Sequence, residues 1–247
     1  MNRPRTENAA VGKWWDAPLG LVRGCTRVSE ACANCWALAC ERRFKRDGPA
    51  TFVQEPLERV QRARKHLVRA VWNDLFHERV GTTEISWAWK MMALAHCQTF
   101  VVLTKRVWRA QYILREIAAS PVKNIILGTT CETQEWADKR IPDLIATPAA
   151  YRMLSLEPLL EPIDLSRPDY GGGAIDLVVV GPETGTKRRS TKPEWIISIV
   201  EQCRAAGVPV WVKVFPVGKR ISNNPAEWPA ELTRLGEMRQ WLQPKTA

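Results

Sequence analysis

The chain has 247 residues, 45% hydrophobic and 25% charged, which excludes a disordered tail-like protein and supplies apolar material for one large core or two small ones. Lys and Arg outnumber Asp and Glu by 36 to 26, a formal charge of +10, so the surface attracts polyanions. No apolar run approaches the roughly 20 residues needed to cross a bilayer, and Met1–Lys13 lacks the apolar stretch of a secretory signal, so the expectation is a cytoplasmic protein without a membrane partner.

Read in chain order, residues 1–12 are a polar tail, and a short apolar run at Gly20–Cys25 is a first candidate strand. The cysteine-rich segment after it opens a helix predicted over Ala33–Arg46, and a second helix is predicted over Glu55–Val68. Strands then alternate with amphipathic helices. The strands are Ala70–Phe76, Thr99–Lys105, Asn124–Thr130, Arg152–Glu157, Ile175–Glu183 and Val208–Phe215, each rich in Val, Ile or Leu. The helices are Glu84–Cys97, Arg106–Ala118, Glu132–Ile145 and Pro193–Ala206. Thr133 and Thr191 stand where N-caps belong, and Gly207 where a helix C-terminal glycine belongs. Residues from about 233 to 247 form a second tail on a single domain that spans 1–247.

Strand–helix alternation of this length means a parallel sheet, either a barrel or an open doubly wound sheet, with chemistry at the C-terminal ends of the strands. The polar residues obey that rule. Asn73 and Asp74 close one strand, Thr104, Lys105 and Arg106 the next, Thr129 and Thr130 another, then Glu157 and Glu183. Period-2 alternation places Met153, Ser155 and Glu157 on one face. It places Trp211, Lys213 and Phe215 on the face pointing into a barrel, with Val210, Val212 and Val214 under helices. A lysine there needs an anion: Glu157, Glu183 or a ligand.

The seven cysteines are odd in number and no export signal precedes them, which argues against a disulfide framework. Four of them crowd together. Cys25, Cys32 and Cys35 follow a six-then-two spacing, and Cys40 lies five residues further on. Three thiolates with one open position suit a [4Fe-4S] cluster with one iron free for a non-protein ligand. A closed zinc site would recruit Cys40 as fourth ligand. Spacing alone leaves both open, together with no metal at all. Cations cluster at Arg42–Arg46, at Arg59–Arg69 and at Lys187–Arg189, either as a solvated face or as a nucleic-acid footprint. His66, His77 and His96 have no metal-ligand spacing. No P-loop, dinucleotide-type glycine fingerprint or nucleophile elbow is present.

The segment C-T-R-V-S-E-A-C-A-N-C-W (Cys25–Trp36) resembles the motif of a phage-encoded radical S-adenosylmethionine (SAM) family. The likeness runs from about Trp15 to Phe215. It includes N-D-L-F-H-E (Asn73–Glu78), F-V-V-L-T-K-R (Phe100–Arg106), W-A-D-K-R-I-P-D-L (Trp136–Leu144), L-S-L-E-P-L-L (Leu154–Leu160) and I-D-L-V-V-V-G-P-E-T-G (Ile175–Gly185). The chain departs from that pattern at Thr129–Cys131, at Pro182 and in V-K-V-F-P (Val212–Pro216), all at strand ends.

The resemblance implies an incomplete (βα) barrel of radical SAM type, with a [4Fe-4S] cluster on Cys25, Cys32 and Cys35 and SAM as second cofactor. It further implies stacking of Trp36 on adenine, and polar contacts to SAM from Asn73, Thr104 and Ser155. Glu132 and Glu157 would hold its ribose or amino group. Lys105, Arg106, Arg188 and Arg189 would receive a carboxylate or phosphate of the substrate, and Lys213, Glu183 and His77 are the catalytic candidates. The implied reaction is the isomerisation of N-alpha-glycinylthymidine to its C-alpha-linked form in phage DNA. The enzyme would then work in the cytoplasm of an infected bacterium with a flavodoxin- or ferredoxin-like electron donor, on a base flipped from the duplex. Two other functions share many of these features: a radical SAM lyase that repairs a DNA lesion, and a non-enzymatic zinc-stapled nucleic-acid-binding protein.

Overall fold

The computed structural model describes residues 13–44 and 48–232. The tails expected at 1–12 and 233–247, and the cations Lys45 and Arg46, lie outside them.

The chain opens with β1 (Ala17–Gly20) and β2 (Val22–Arg23), followed by α1 (Trp36–Arg43), β3 (Thr51–Phe52) and α2 (Glu55–Gln61). Strand and helix then alternate: β4 (Leu67–Trp72), α3 (Thr82–Leu94), β5 (Gln98–Thr104), α4 (Val107–Glu116), β6 (Ile125–Thr130), α5 (Gln134–Ile145), β7 (Tyr151–Leu156), β8 (Leu177–Val180), α6 (Pro193–Ala205) and β9 (Val210–Val212). A hairpin of β10 (Phe215–Val217) and β11 (Arg220–Ser222) ends the regular structure.

Seven strands form one parallel sheet in the order β1-β4-β5-β6-β7-β8-β9. Each strand lies beside the next one in the chain, apart from the β2–β3 ribbon set aside near its start, so the sheet never reverses direction. It curls into a half-barrel with helices outside, the open form of a (βα) barrel. Alternation along the strands divides the core in two. Phe100, Val102, Leu154, Leu156, Val178 and Val180 face the helices in the larger cluster. Val68, Ala70, Val101, Ile126, Met153, Val179 and Trp211 fill the concave inner face, with Trp14 packed among them. Both faces are covered, which is why the strands read as continuous apolar runs. Gly128 sits between Ile126 and Thr130, opposite Leu103. A Cβ there would come within 2.7 Å of the Leu103 side chain and 3.0 Å of the Met153 carbonyl oxygen, so any larger residue would push Leu103 aside and crowd the neighbouring strand.

Several boundaries differ from expectation. The run Gly20–Cys25 is not one strand: β1 joins the main sheet, and β2 pairs antiparallel with β3. β4 ends at Trp72 because Asn73 takes a left-handed conformation, φ 59°. α2 stops at Gln61, where Arg62, Arg64 and Lys65 supply no apolar face. Thr133 caps α5, accepting from the Trp136 amide, and Gly207 (φ 67°) follows α6 as expected. Thr191 is not a cap; its hydroxyl donates to the Leu159 carbonyl and Lys192 holds the N-cap position. The face assignment of the last strand is half right. Trp211 points inward and Val212 toward the helices, but β9 ends there. Phe215 begins the hairpin and packs in the outer cluster beside Trp228.

Candidate functional site

At the C-terminal ends of the strands the inner face turns polar. Trp72, Asn73, Asp74, Thr104, Lys105, Thr130, Ser155, Glu157, Glu183 and Lys213 line a cleft of about 250 Å³. Cys25, Cys32, Cys35 and Trp36 close it from above, brought there by the loop that leaves β2. Cys40 does not line it. A larger apolar cavity of about 470 Å³ lies outside the sheet between α5 and α6 and contains none of the expected site residues.

The cysteine loop is tied down at four points. The Arg106 guanidinium donates to the Thr26 hydroxyl at 2.6 Å, and His77 Nε2 lies 3.0 Å from the same oxygen. Lys105 Nζ donates to the Ser29 hydroxyl at 3.0 Å. Trp136 Nε1 donates to Glu30 at 2.9 Å. The Asn34 amide donates to Glu183 at 3.0 Å and to the Lys187 carbonyl at 2.9 Å. Anchors therefore come from the ends of β4, β5 and β8 and from the first turn of α5.

This use of the strand ends revises several expected roles. Arg106 is buried, donating to Asp74 at 2.8 Å and Glu78 at 2.7 Å. Burial opposes its charge, yet those two carboxylates outweigh burial and raise its pKa. It holds the loop and is not free for a substrate. Thr104 donates to Asp74 at 2.6 Å and accepts from the Arg106 amide, so its hydroxyl is fully used within the protein. His77 is outside the cleft lining. Its Nδ1 accepts from the Arg79 amide, which leaves Nε2 as the N–H that faces Thr26. Burial, and then the charge of Arg106, lower its pKa, so the ring is neutral. Its hydrogen bonds position the cysteine loop, and it does not face the cleft.

Glu132 is fully buried and does not reach the cleft. It accepts from Lys105 at 3.1 Å and from Arg140 at 2.9 Å, while the Arg140 guanidinium stacks 4.0 Å from the Trp136 ring centre. Lys105 touches the cleft but is committed to Glu132 and Ser29. Glu183 is clamped by the Arg189 side chain and amide as well as by Asn34. Burial would raise its pKa, but the Arg189 and Asn34 hydrogen bonds lower it. Arg189 is thus spent on Glu183, while Arg188 lies exposed outside the cleft, donating to the Gly185 and Lys219 carbonyls.

Besides the cysteines, five expected positions line the cleft without being spent on the cysteine loop. Trp36 is 50% exposed and stands edge-on to Trp72, ring centres 4.8 Å apart. Asn73 donates to the Val22 carbonyl at 2.7 Å and to Glu41 at 3.2 Å, at the cleft wall. The Ser155 hydroxyl has no partner among the described residues. Glu157 pairs with Lys213 across the floor, both partly accessible. The residues that sequence reasoning missed are the loop's own anchoring groups, Thr26, Ser29, Glu30 and Asn34, with Asp74, Glu78 and Trp136 that hold or reach them. Only Asp74 carried a signal, as a polar residue just past a strand.

A family described as a protein of unknown function, DUF5131, matches residues 10–227. The chain belongs to the DUF5131 family. The matched region takes in the cysteine loop, all seven strands of the sheet and the hairpin. Comparison with curated proteins and with solved structures returns no match.

The donor set of this DUF5131 chain can be tested against the two metal groups its cysteines suggest. Among the described residues, no three His, Cys, Asp or Glu side chains converge closely enough to hold a single ion, as a tetrahedral zinc site requires. The thiolates of a [4Fe-4S] cluster bind different irons, so they surround a volume and need not meet at a point. Cys25, Cys32 and Cys35 lie around one cleft, and these are the residues that would hold such a cluster. Their electrostatics differ. Burial, then the charge of Asp74, push the Cys25 thiol up to about 11. Burial acts the same way on Cys32, but Lys105 and the Val28 and Ser29 groups outweigh it and lower its pKa. Cys131 and Cys203 are pushed up to about 12 by burial, as inert core thiols are.

Proposed function

We propose that this chain is a radical SAM-type enzyme that acts on a modified thymidine in DNA, isomerising an N-linked glycinyl substituent to the C-linked form. The observation that carries the reading is the gathering of Cys25, Cys32 and Cys35 around one cleft at the C-terminal mouth of a half-barrel, with Cys40 outside it. These three thiolates would hold the [4Fe-4S] cluster, leaving one position for SAM. When bound, the two cofactors supply one-electron chemistry able to remove hydrogen from an unactivated carbon.

The protein's own contribution is placement and exclusion of water. Trp36, Asn73 and Ser155 are the groups open to a cofactor at the cleft wall. The Lys213–Glu157 pair offers one cation and one anion on the floor, matched to a substituent that carries both a carboxylate and an amine. Beneath it the apolar inner cluster keeps bulk water from the reacting carbon. Arg106, His77, Lys105 and Glu183 hold the loop that carries the thiolates.

Anaerobic purification followed by absorption spectroscopy and iron analysis tests this reading. The expected protein is brown, loses iron when Cys25, Cys32 or Cys35 becomes Ala, and keeps it in Cys40→Ala. A colourless protein holding zinc on four cysteines would overturn it in favour of a zinc-stapled binding module.

A further inference from the structure

The cleft opens beside a cationic ridge built from two parts of the chain. One part is the loop after β8 together with the β10–β11 turn. The Asn34 amide donates to the Lys187 carbonyl, fixing that loop against the cysteine segment. The Arg188 guanidinium then bridges it to the hairpin, donating to the Gly185 and Lys219 carbonyls, both at 3.2 Å. Those acceptors are neutral, so the Arg188 charge stays uncompensated. Lys187, Arg188 and Lys219 are all exposed.

The other part is α1, which buries none of its eight residues. Its acid, Glu41, turns inward to Asn73, while Arg42 and Arg43 are exposed in the last turn. Arg43 lies seven positions after Trp36, hence on the same helix face and about 10 Å along it. No carboxylate among the described residues pairs with Arg42, Arg43, Lys187, Arg188 or Lys219. The helix macrodipole rationalises two cations at a helix C-terminus. It does not account for three more assembled from separate loops at the other end.

We infer that this ridge binds the sugar–phosphate backbone of a nucleic-acid strand, so that the target nucleotide is taken while still part of a polymer. The inference rests on the reading of the cleft as a site for thymidine in DNA and names the surface that holds the strand. A single phosphate cannot reach both ends of α1, whereas a chain of phosphates passing the mouth can. Arg189 has no part in it, because Glu183 holds it.

The test uses the full chain and fluorescence anisotropy with labelled DNA oligonucleotides of increasing length, over a range of salt concentrations. Affinity should rise with length, and a mononucleotide should compete poorly. Lys187→Glu with Lys219→Glu, and separately Arg42→Glu with Arg43→Glu, should each lower the magnitude of the log K against log salt slope by about two. Iron content and melting temperature should stay those of the wild type. If either pair fails to fold, the Gln versions carry the same slope test. Unchanged slopes in both pairs, or equal competition by mononucleotide or by polyglutamate, would overturn the ridge. A wild-type protein that binds DNA as expected but holds no iron would instead remove the radical SAM reading and leave the ridge standing.

Discussion

The cysteine loop is held from two sides, and the two sides are built differently. On the β4–β5 side, Arg106 and Asp74 are 2% and 7% exposed, and the pair is closed by Thr104, Glu78 and Thr26. On the β8 side, Glu183 is 5% exposed but its partner Arg189 is 37% exposed, and the third member, Asn34, belongs to the loop itself. In low dielectric a charge without its partner is costly, so the first network is all-or-none. In the second, the Arg189 side chain is partly solvated, and the Arg189 amide and Asn34 still hold Glu183 if that side chain swings out. One side is scaffold; the other can yield.

Breaking the scaffold side should have the largest effect. Arg106→Met strands the Asp74 carboxylate and frees Thr26, so denaturant unfolding should show a loss of roughly 3–5 kcal/mol, with lower iron content in the folded fraction. Lys213→Met tests the floor between the two sides. Glu157 would lose its cation in a partly accessible place, and the expected loss is about 1–3 kcal/mol. If SAM or substrate supplies a replacement partner, the melting temperature difference from wild type changes on adding it. Asn34→Ala removes only the yielding side's grip, for about 1 kcal/mol, and should accelerate iron loss to a chelator more than it lowers stability.

The two sides also answer to different pH ranges, the subtlest of the expected effects. His77 has a pKa below its ordinary 6.5 in the folded protein, so unfolding takes up a proton and stability falls as pH drops below 6.5. Glu183 is held below its ordinary 4.5, so its contribution is intact above that value and is lost only in stronger acid. Melting curves of His77→Gln should decline less steeply below 6.5, the remainder belonging to His66, which burial also holds below its ordinary value, and keep the decline below 4.5. Equal curves for variant and wild type would show that His77 is not held neutral.

Most of the sheet was legible because strands covered on both faces are long apolar runs, as in Phe100–Leu103 and Leu177–Val180. Boundaries failed where one residue redirects the chain, at Asn73 with its left-handed backbone and at the step from Val212 into the hairpin. The polar strand ends were legible as positions but not as roles. Thr104 and Arg106 stand at the C-terminal side of the sheet, as expected, and Glu132 and His77 follow strand ends too. Whether such a group meets a ligand or the protein depends on partners far away in sequence: Thr26 for Arg106, Arg140 and Lys105 for Glu132. Alternation placed Lys213 correctly above Trp211, and nominated Glu157 and Glu183 equally; only the spatial neighbourhood of β7 and β9 separates them.

The four ties on the cysteine loop set an order of assembly. The three thiols precede all of the groups that anchor their loop, so a ribosome delivers them before those anchors. Their anchors come later: His77 is 51 residues beyond Thr26, Trp136 is 106 beyond Glu30, and Glu183 is 149 beyond Asn34. A nascent chain therefore carries the three cysteines long before it has the cleft. On the proposed reading, metal loading would follow synthesis of β8, when the far end of the sheet returns to fasten the cysteine loop.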